Sequence, residues 1–234
     1  MFRALCSEWR TRETRNTQHA TRHTPPLTYH ASRITFHMAE YRFKTPLTES
    51  DVRQLRLGDS VILDGIIFGV RDASSIRIFD QKVPPPVDWR GAALLHTAPN
   101  VRKIGPGKYE PLSVGTTTSM RMDRFTEGLL RDYGVRAILG KGGLSARSAE
   151  LMQKYGACYL SVTGGAAALG TLQIEEIEKV YWEDLMPECI WQFRFKGFGP
   201  LTVGIDAHGG NLQLDVQQQA ERKTAELLRK MGIA

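Results

Sequence analysis

The spacing of apolar positions along the chain changes several times, and each change marks an expected element. Residues 1–37 are rich in Arg, Thr and His and carry no apolar periodicity, so they read as a disordered or non-native extension. Met38 is the expected start of the folded domain, which would span 38–234. From Tyr41 the pattern becomes regular. KTPLTESDVRQL puts Thr48 or Ser50 where a helix N-cap belongs, with Gly58 as the stop. SVILDGIIFGVRD is β-branched and broken by Gly65 and Gly69, which predicts two strands around a tight turn and leaves Arg71 and Asp72 just beyond the second. AALLHT is a short apolar strand that stops at Pro99, and residues 100–114, with Gly105, Pro106, Gly107 and Pro111, read as a loop.

After Gly115 the period becomes helical. Residues 121–133 place Phe125, Leu129 and Leu130 on one side and end at Gly134. RAILG is then a buried strand, residues 145–155 a helix, and ACYLSV a strand running into TGGAAAL. Such alternation predicts an α/β protein with parallel strands and crossover helices. The last third departs from it. CIWQFRF and LTVGID are strand-like, HGGNL signals a turn between extended segments, and the chain finishes as a polar amphipathic helix. Together these predict a layered β/β/α domain with a mixed sheet rather than a plain doubly wound one.

Composition narrows the function classes. The net charge of +6 suggests a polyanionic partner, but residues 1–37 hold six Arg against two Glu, leaving 25 basic and 23 acidic residues in the remainder. A phosphate-tracking groove needs its charge in the folded part, interleaved with aromatics, so no nucleic-acid partner is expected. No run approaches the ~18 apolar residues of a membrane helix, and no membrane association is expected. Cys6, Cys158 and Cys189 are far apart, with neither a CxxC pair nor histidines at ligand spacing, so no metal site is expected on this chain. Cys158 and Cys189 read as small buried hydrophobes in a reducing compartment, which points to the cytoplasm.

Chemistry concentrates at glycine-bearing turns that lead into helical sequence: Gly115 with TTTS, Gly140–Gly143 around Lys141, and Gly164–Gly165. Such turns gather free N–H groups and helix dipoles at one sheet edge, which suits an anion. None has the spacing of a nucleotide-binding loop. If a helix starts near Thr117, Arg121 lies one turn on, and hydroxyl and guanidinium face the same group. Equally, Thr116, Thr117, Thr118 and Ser119 could simply cap that helix, with Arg121 a solvated cation. Arg71, Arg121, Lys141 and Thr117 as a set would suit a small dicarboxylate, with an arginine fork for each end. His208 reads as a solvated turn histidine, His96 is ambiguous, and Trp182 and Trp191 belong to a core or a subunit interface.

The stretch GTTTSMRMD is similar to the GPTTSxRMD motif of class I fumarate hydratases and the related tartrate dehydratase beta subunits. RDAS, GKGG, TGGAAAL and MPECIW resemble further blocks of that family in the same order, over roughly Thr45 to Leu214. The resemblance implies a swivelling β/β/α domain that pairs with a separate alpha subunit, whose cysteines hold a 4Fe-4S cluster. It implies reversible hydration of fumarate to malate by a hetero-oligomer. Arg71, Arg121 and Lys141 would grip the substrate's carboxylates and hydroxyl, and Thr117 would stand where the carbon-bound proton is removed. Thr117 and Lys141 would thus be catalytic. A tartrate dehydratase beta subunit and a non-catalytic anion-binding or assembly module remain the competing readings.

The chain also departs from the family pattern. Thr116 replaces a proline, Ser74 and Ser75 stand within the block that usually reads RDAAH, and His96-Thr97-Ala98-Pro99 replaces YAGP. These changes bear on the substrate more than on the fold.

Overall fold

A computed structural model describes residues 38–163 and 166–233; the expected 1–37 extension and the Gly164–Gly165 turn lie outside the described residues. β1 (Glu40–Lys44) leads to α1 (Glu49–Arg53), where Thr48 caps and Asp51 closes a reciprocal capping box. β2 (Ser60–Val70) follows as one strand of 11 residues, not the two strands and turn expected. Gly65 has φ +100° and coincides with a break in pairing register, so it makes a bulge rather than a reversal. A Cβ at Gly69 would come within 2.7 Å of the Phe193 ring and 2.9 Å of the Thr97 methyl, so that glycine permits close packing in mid-strand.

α2 (Asp72–Phe79) opens directly behind β2, a helix the sequence pattern did not suggest. β3 (Ala93–His96) is the expected apolar strand. Residues 100–114 are not a loop but an antiparallel hairpin, β4 (Asn100–Gly105) with β5 (Lys108–Ser113). The glycines and prolines that suggested irregular structure lie at its tip and in β5. The helix expected over 121–133 begins as a 3₁₀ segment, Ser119–Phe125, and becomes α3 (Thr126–Arg131). β6 (Ala137–Gly140), α4 (Ala146–Tyr155) and β7 (Cys158–Ser161) come where expected, with Ser145 capping α4. β8 (Ile174–Tyr181), unanticipated because its IEEIEKVY pattern is so charged, precedes β9 (Ile190–Ile205), which joins both expected strands into one. HGGNL then turns β9 into α5 (Leu212–Lys230), not into another strand.

β1, β2, β3, β6 and β7 run parallel, whereas β9 is antiparallel to β2, β7 and β8. Because β9 pairs with both β7 and β2, the order β2-β3-β6-β7-β9 returns on itself and the mixed sheet closes. Closure follows from the length of β9 and from its backbone at Gly197 (φ +67°) and Gly199 (φ +150°), which only glycine adopts freely.

The pleat sorts the core into two clusters. Ala93, Leu95, Ala137, Leu139, Cys158 and Leu160 face inward, with Ile67, Trp191, Phe193 and Phe195. The intervening Leu94, Ile138 and Tyr159 face outward, against Ile78, Phe125, Leu129 and Met152 of the helical segments. Tyr109 and Val101 of the hairpin pack on the inner cluster. Among the described residues no helix is long and apolar enough to cross a membrane.

Candidate active site

In a sheet with parallel strands, side chains and free main-chain groups converge where the strands end, at their carboxyl edge. Arg71 follows β2, His96 closes β3, and Lys141 follows β6. Residues 115–118 pass between the ends of β3 and β6 without becoming helical. The Thr117 N–H donates to the His96 carbonyl at 2.8 Å, the Lys141 N–H donates to the Thr117 carbonyl at 3.3 Å, and the Ser119 N–H donates to the Lys141 carbonyl at 3.1 Å. Thr117 and Lys141 therefore sit on adjacent, mutually bonded backbone.

This arrangement corrects the helical-spacing argument. Thr117 precedes the helix, so its relation to Arg121 is not that of two residues one turn apart. Capping by the run of hydroxyls also fails: Thr118 occupies the N-cap position with no side-chain cap bond. Ser119 is engaged elsewhere, and the Thr116 hydroxyl is buried with no hydrogen-bond partner.

The two arginines meet through acids that had not been singled out. Arg121 Nη2 lies 2.9 Å from Asp72 Oδ2, and Arg71 Nε lies 3.7 Å from the same oxygen. Arg71 Nη1 contacts Glu188 Oε1 at 3.2 Å, while Glu188 Oε2 accepts from the Ala73 N–H at 2.9 Å. Neither Arg71 Nε nor Asp72 Oδ2 has an aligned hydrogen bond, so the cluster keeps unused capacity. Arg71 is itself fixed by α2, since its N–H donates to Ser74 Oγ at 3.0 Å and the Ser74 hydroxyl donates back to the Arg71 carbonyl at 3.1 Å. The signals for Asp72 and Glu188 were present, in RDAS and MPECIW, but nothing in one dimension brings residue 188 to residue 71.

Beneath Thr117 lies a buried polar triad. Tyr159 donates to Ser119 Oγ at 2.9 Å, and Ser119 Oγ lies 3.0 Å from His96 Nδ1. Burial pushes His96 down to about 4, so the imidazole is neutral, and burial pushes Tyr159 up to about 12 against a smaller opposing pull from Ser119. Asp123 ties the 3₁₀ segment to α4: its carboxylate accepts from Ser145 N–H (2.9 Å), Ser145 Oγ (2.8 Å) and Ser148 Oγ (2.7 Å). The loop carrying Lys141 lies between these two anchored segments. Thr117, Lys141 and Arg71 are half-buried and Arg121 is exposed, so the set faces out from the sheet edge.

The described residues do not fit an iron–sulfur cluster. Cys158 and Cys189 are buried in the core, where burial pushes both thiols up to about 12. No group of three His, Cys, Asp or Glu side chains among the described residues is placed to hold a metal ion. His208 is exposed, with Nε2 2.9 Å from the Arg53 carbonyl, Trp191 is core, and Trp182 is half-buried beneath the Arg77 guanidinium.

The fold and this edge define an α/β domain with a closed mixed sheet and a cationic, hydroxyl-bearing face at the ends of its parallel strands. Residues 11–216 match the family described as Fumarase C-terminus, and the chain belongs to that family. It is 43% identical over 169 residues to the L(+)-tartrate dehydratase subunit beta of Escherichia coli (strain K12), covering 72% of this chain and 84% of that protein. It is 33% identical over 196 residues to a putative L(+)-tartrate dehydratase subunit beta of Methanocaldococcus jannaschii, covering 81% and 98%. A putative fumarate hydratase class I of Geobacillus stearothermophilus is 33% identical over 184 residues, covering 78% of this chain but 35% of that longer protein.

Proposed function

We propose that the chain is the beta subunit of an iron–sulfur hydro-lyase that interconverts fumarate and malate in the cytoplasm, active only with an alpha subunit. The 4Fe-4S cluster belongs to that subunit in this reading, since the described cysteines of this chain suit core packing. In this reading the domain is of the swivelling β/β/α type that the family resemblance implies.

The observations that carry the proposal are the pairing of Thr117 and Lys141 on bonded backbone at the carboxyl edge of the sheet, where Arg71 also follows β2, and the link from Arg71 through Asp72 to Arg121. A four-carbon diacid needs a cation at each end, and guanidinium forks bind carboxylates in a fixed plane. Arg71 and Arg121 supply the forks. Lys141 and the N–H groups beside it stabilise negative charge that develops as a carbon-bound proton leaves. Thr117 receives that proton in this reading. A free hydroxyl is a poor base, so its competence depends on a second acceptor brought by the partner.

A second reading rests on a specific observation: the relatives at 43% identity carry the tartrate dehydratase name, whereas the fumarate hydratase relative is at 33%. Dehydration of L(+)-tartrate would use the same forks, lysine and threonine. Steady-state turnover of the reconstituted pair on malate, fumarate and L(+)-tartrate separates the two substrates. Replacing Thr117 by Ala tests the site itself. It should lower kcat far more than it changes KM, because it removes a proton-transfer group and little ground-state affinity. Wild-type kcat/KM in Thr117→Ala, with subunit pairing intact, would remove Thr117 from the reaction and leave a non-catalytic anion-binding module as the surviving reading.

A further inference from the structure

We propose that His96, which stands where the family pattern has tyrosine, is the positioning residue for Thr117. The inference rests on Thr117 being the proton acceptor in the reaction above. His96 holds the Thr117 segment at two points. Its carbonyl accepts from the Thr117 N–H at 2.8 Å, and its Nδ1 lies 3.0 Å from the hydroxyl of Ser119, two residues on.

Tyr159 donates to Ser119 Oγ, and Ser119 Oγ and His96 Nδ1 share the next hydrogen bond, whose donor is set by the imidazole tautomer. His96, Ser119 and Tyr159 are each 1% exposed or less, so no solvent competes for these bonds. Space for Ser119 depends on Gly140, where an added Cβ would lie 1.9 Å from Ser119 Oγ. Close by, the Thr97 hydroxyl donates to the Gly115 carbonyl at 2.6 Å and fixes the start of the same segment.

The result is that residues 115–119, which lead into the 3₁₀ segment between two strand ends, are tied to the end of β3 at residues 96 and 97 and to Lys141 just past β6. The Thr117 side chain can then be held to the tolerance that proton transfer requires, where a misplacement of about 1 Å costs on the order of 100-fold in rate. The triad meets the segment bearing the reactive hydroxyl through Ser119, and the His96 main chain meets it again at Thr117, so the imidazole bond and the backbone bond act on the same stretch.

The test uses the two-subunit enzyme with malate and L(+)-tartrate as probes. His96→Phe keeps the ring volume and removes the Ser119 partner, whereas His96→Asn restores a polar atom near the Nδ1 position. The expected result is a fall in kcat of roughly tenfold or more in His96→Phe, with KM changed by less than about threefold and kcat largely rescued in His96→Asn. On a Thr117→Ala background, His96→Phe should cause no further loss. Full kcat in folded His96→Phe overturns the proposal while leaving Thr117 in place. A fall that tracks melting temperature equally in both variants, without rescue, overturns it in favour of simple core packing. Turnover surviving in Thr117→Ala alone instead defeats the proton-acceptor reading and takes this one with it. Should His96→Phe not fold, Ser119→Ala removes the same bond from the other side and is read by the same criteria.

Discussion

Arg71 and Arg121 show how one residue can be set by contacts that are not its ligand's. Asp72 lies between both guanidinium groups, and Glu188 holds the outer nitrogen of Arg71. Lysine at either position would keep the charge but could not keep one bond to the acid and present two to a carboxylate. Arg71→Lys or Arg121→Lys should therefore raise KM for the diacid by roughly one to two orders of magnitude, from a lost charged hydrogen bond of about 1.5–3 kcal/mol, with less effect on kcat. Steady-state kinetics of the reconstituted enzyme checks this. His96 makes a separate prediction about stability. Its folded value of about 4 lies below an unfolded value near 6.5, so between these the unfolded chain binds the extra proton. The contribution is complete above about pH 6.5 and is lost as pH falls toward 4, by roughly 3 kcal/mol in all. Urea titrations across that window should show the loss in wild type, and the difference curve against His96→Asn should isolate it.

At the scale of elements, the site is a set of joints between segments rather than the property of any one of them. Asp123 is the clearest joint, because its three accepted bonds connect the segment bearing Arg121 to the first turn of α4. Asp123→Ala leaves three donors, the Ser145 N–H and the Ser145 and Ser148 hydroxyls, short of a partner and should cost about 2–4 kcal/mol in urea denaturation, with KM and kcat both impaired. Elements with strong local signals were legible in advance: the Thr48-capped α1, the apolar β3, β6 and β7, and the Ser145-capped α4. Those that failed share a cause. Gly65 and Gly69 looked like turn residues because glycine serves turns, bulges and close approaches alike, and only the neighbours Thr45 and Phe193 tell which. β8 hid behind its charges because one face of it is solvated, and α2 because a helix that starts at the end of a strand has no separate N-cap signal.

For the molecule as a whole, the first 37 residues lie outside the described structure, and among the described residues the strands of the closed sheet begin at Glu40. We propose that the folding unit starts at Met38. On that proposal a chain starting there should keep its melting temperature within about 2 °C of the full-length protein, since changes outside the cooperative unit seldom exceed about 0.5 kcal/mol. Thermal denaturation of the two chains decides it, and a drop of several degrees would place part of 1–37 in the fold. The types of chemistry could be read from one dimension: hydroxyls, a lysine and arginines at glycine-rich turns, each next to a strand or helix end, because turn residues and short-range periodicity are local properties. What only the tertiary structure decided was the company those groups keep. Closure of β9 onto β2, Glu188 brought to Arg71, and Tyr159 brought through Ser119 to His96 all join residues 23 to 117 positions apart or more distant elements of the sheet. Such contacts arise from pairing register and from the exclusion of water around buried polar groups, and neither is encoded in the spacing of residues along the chain.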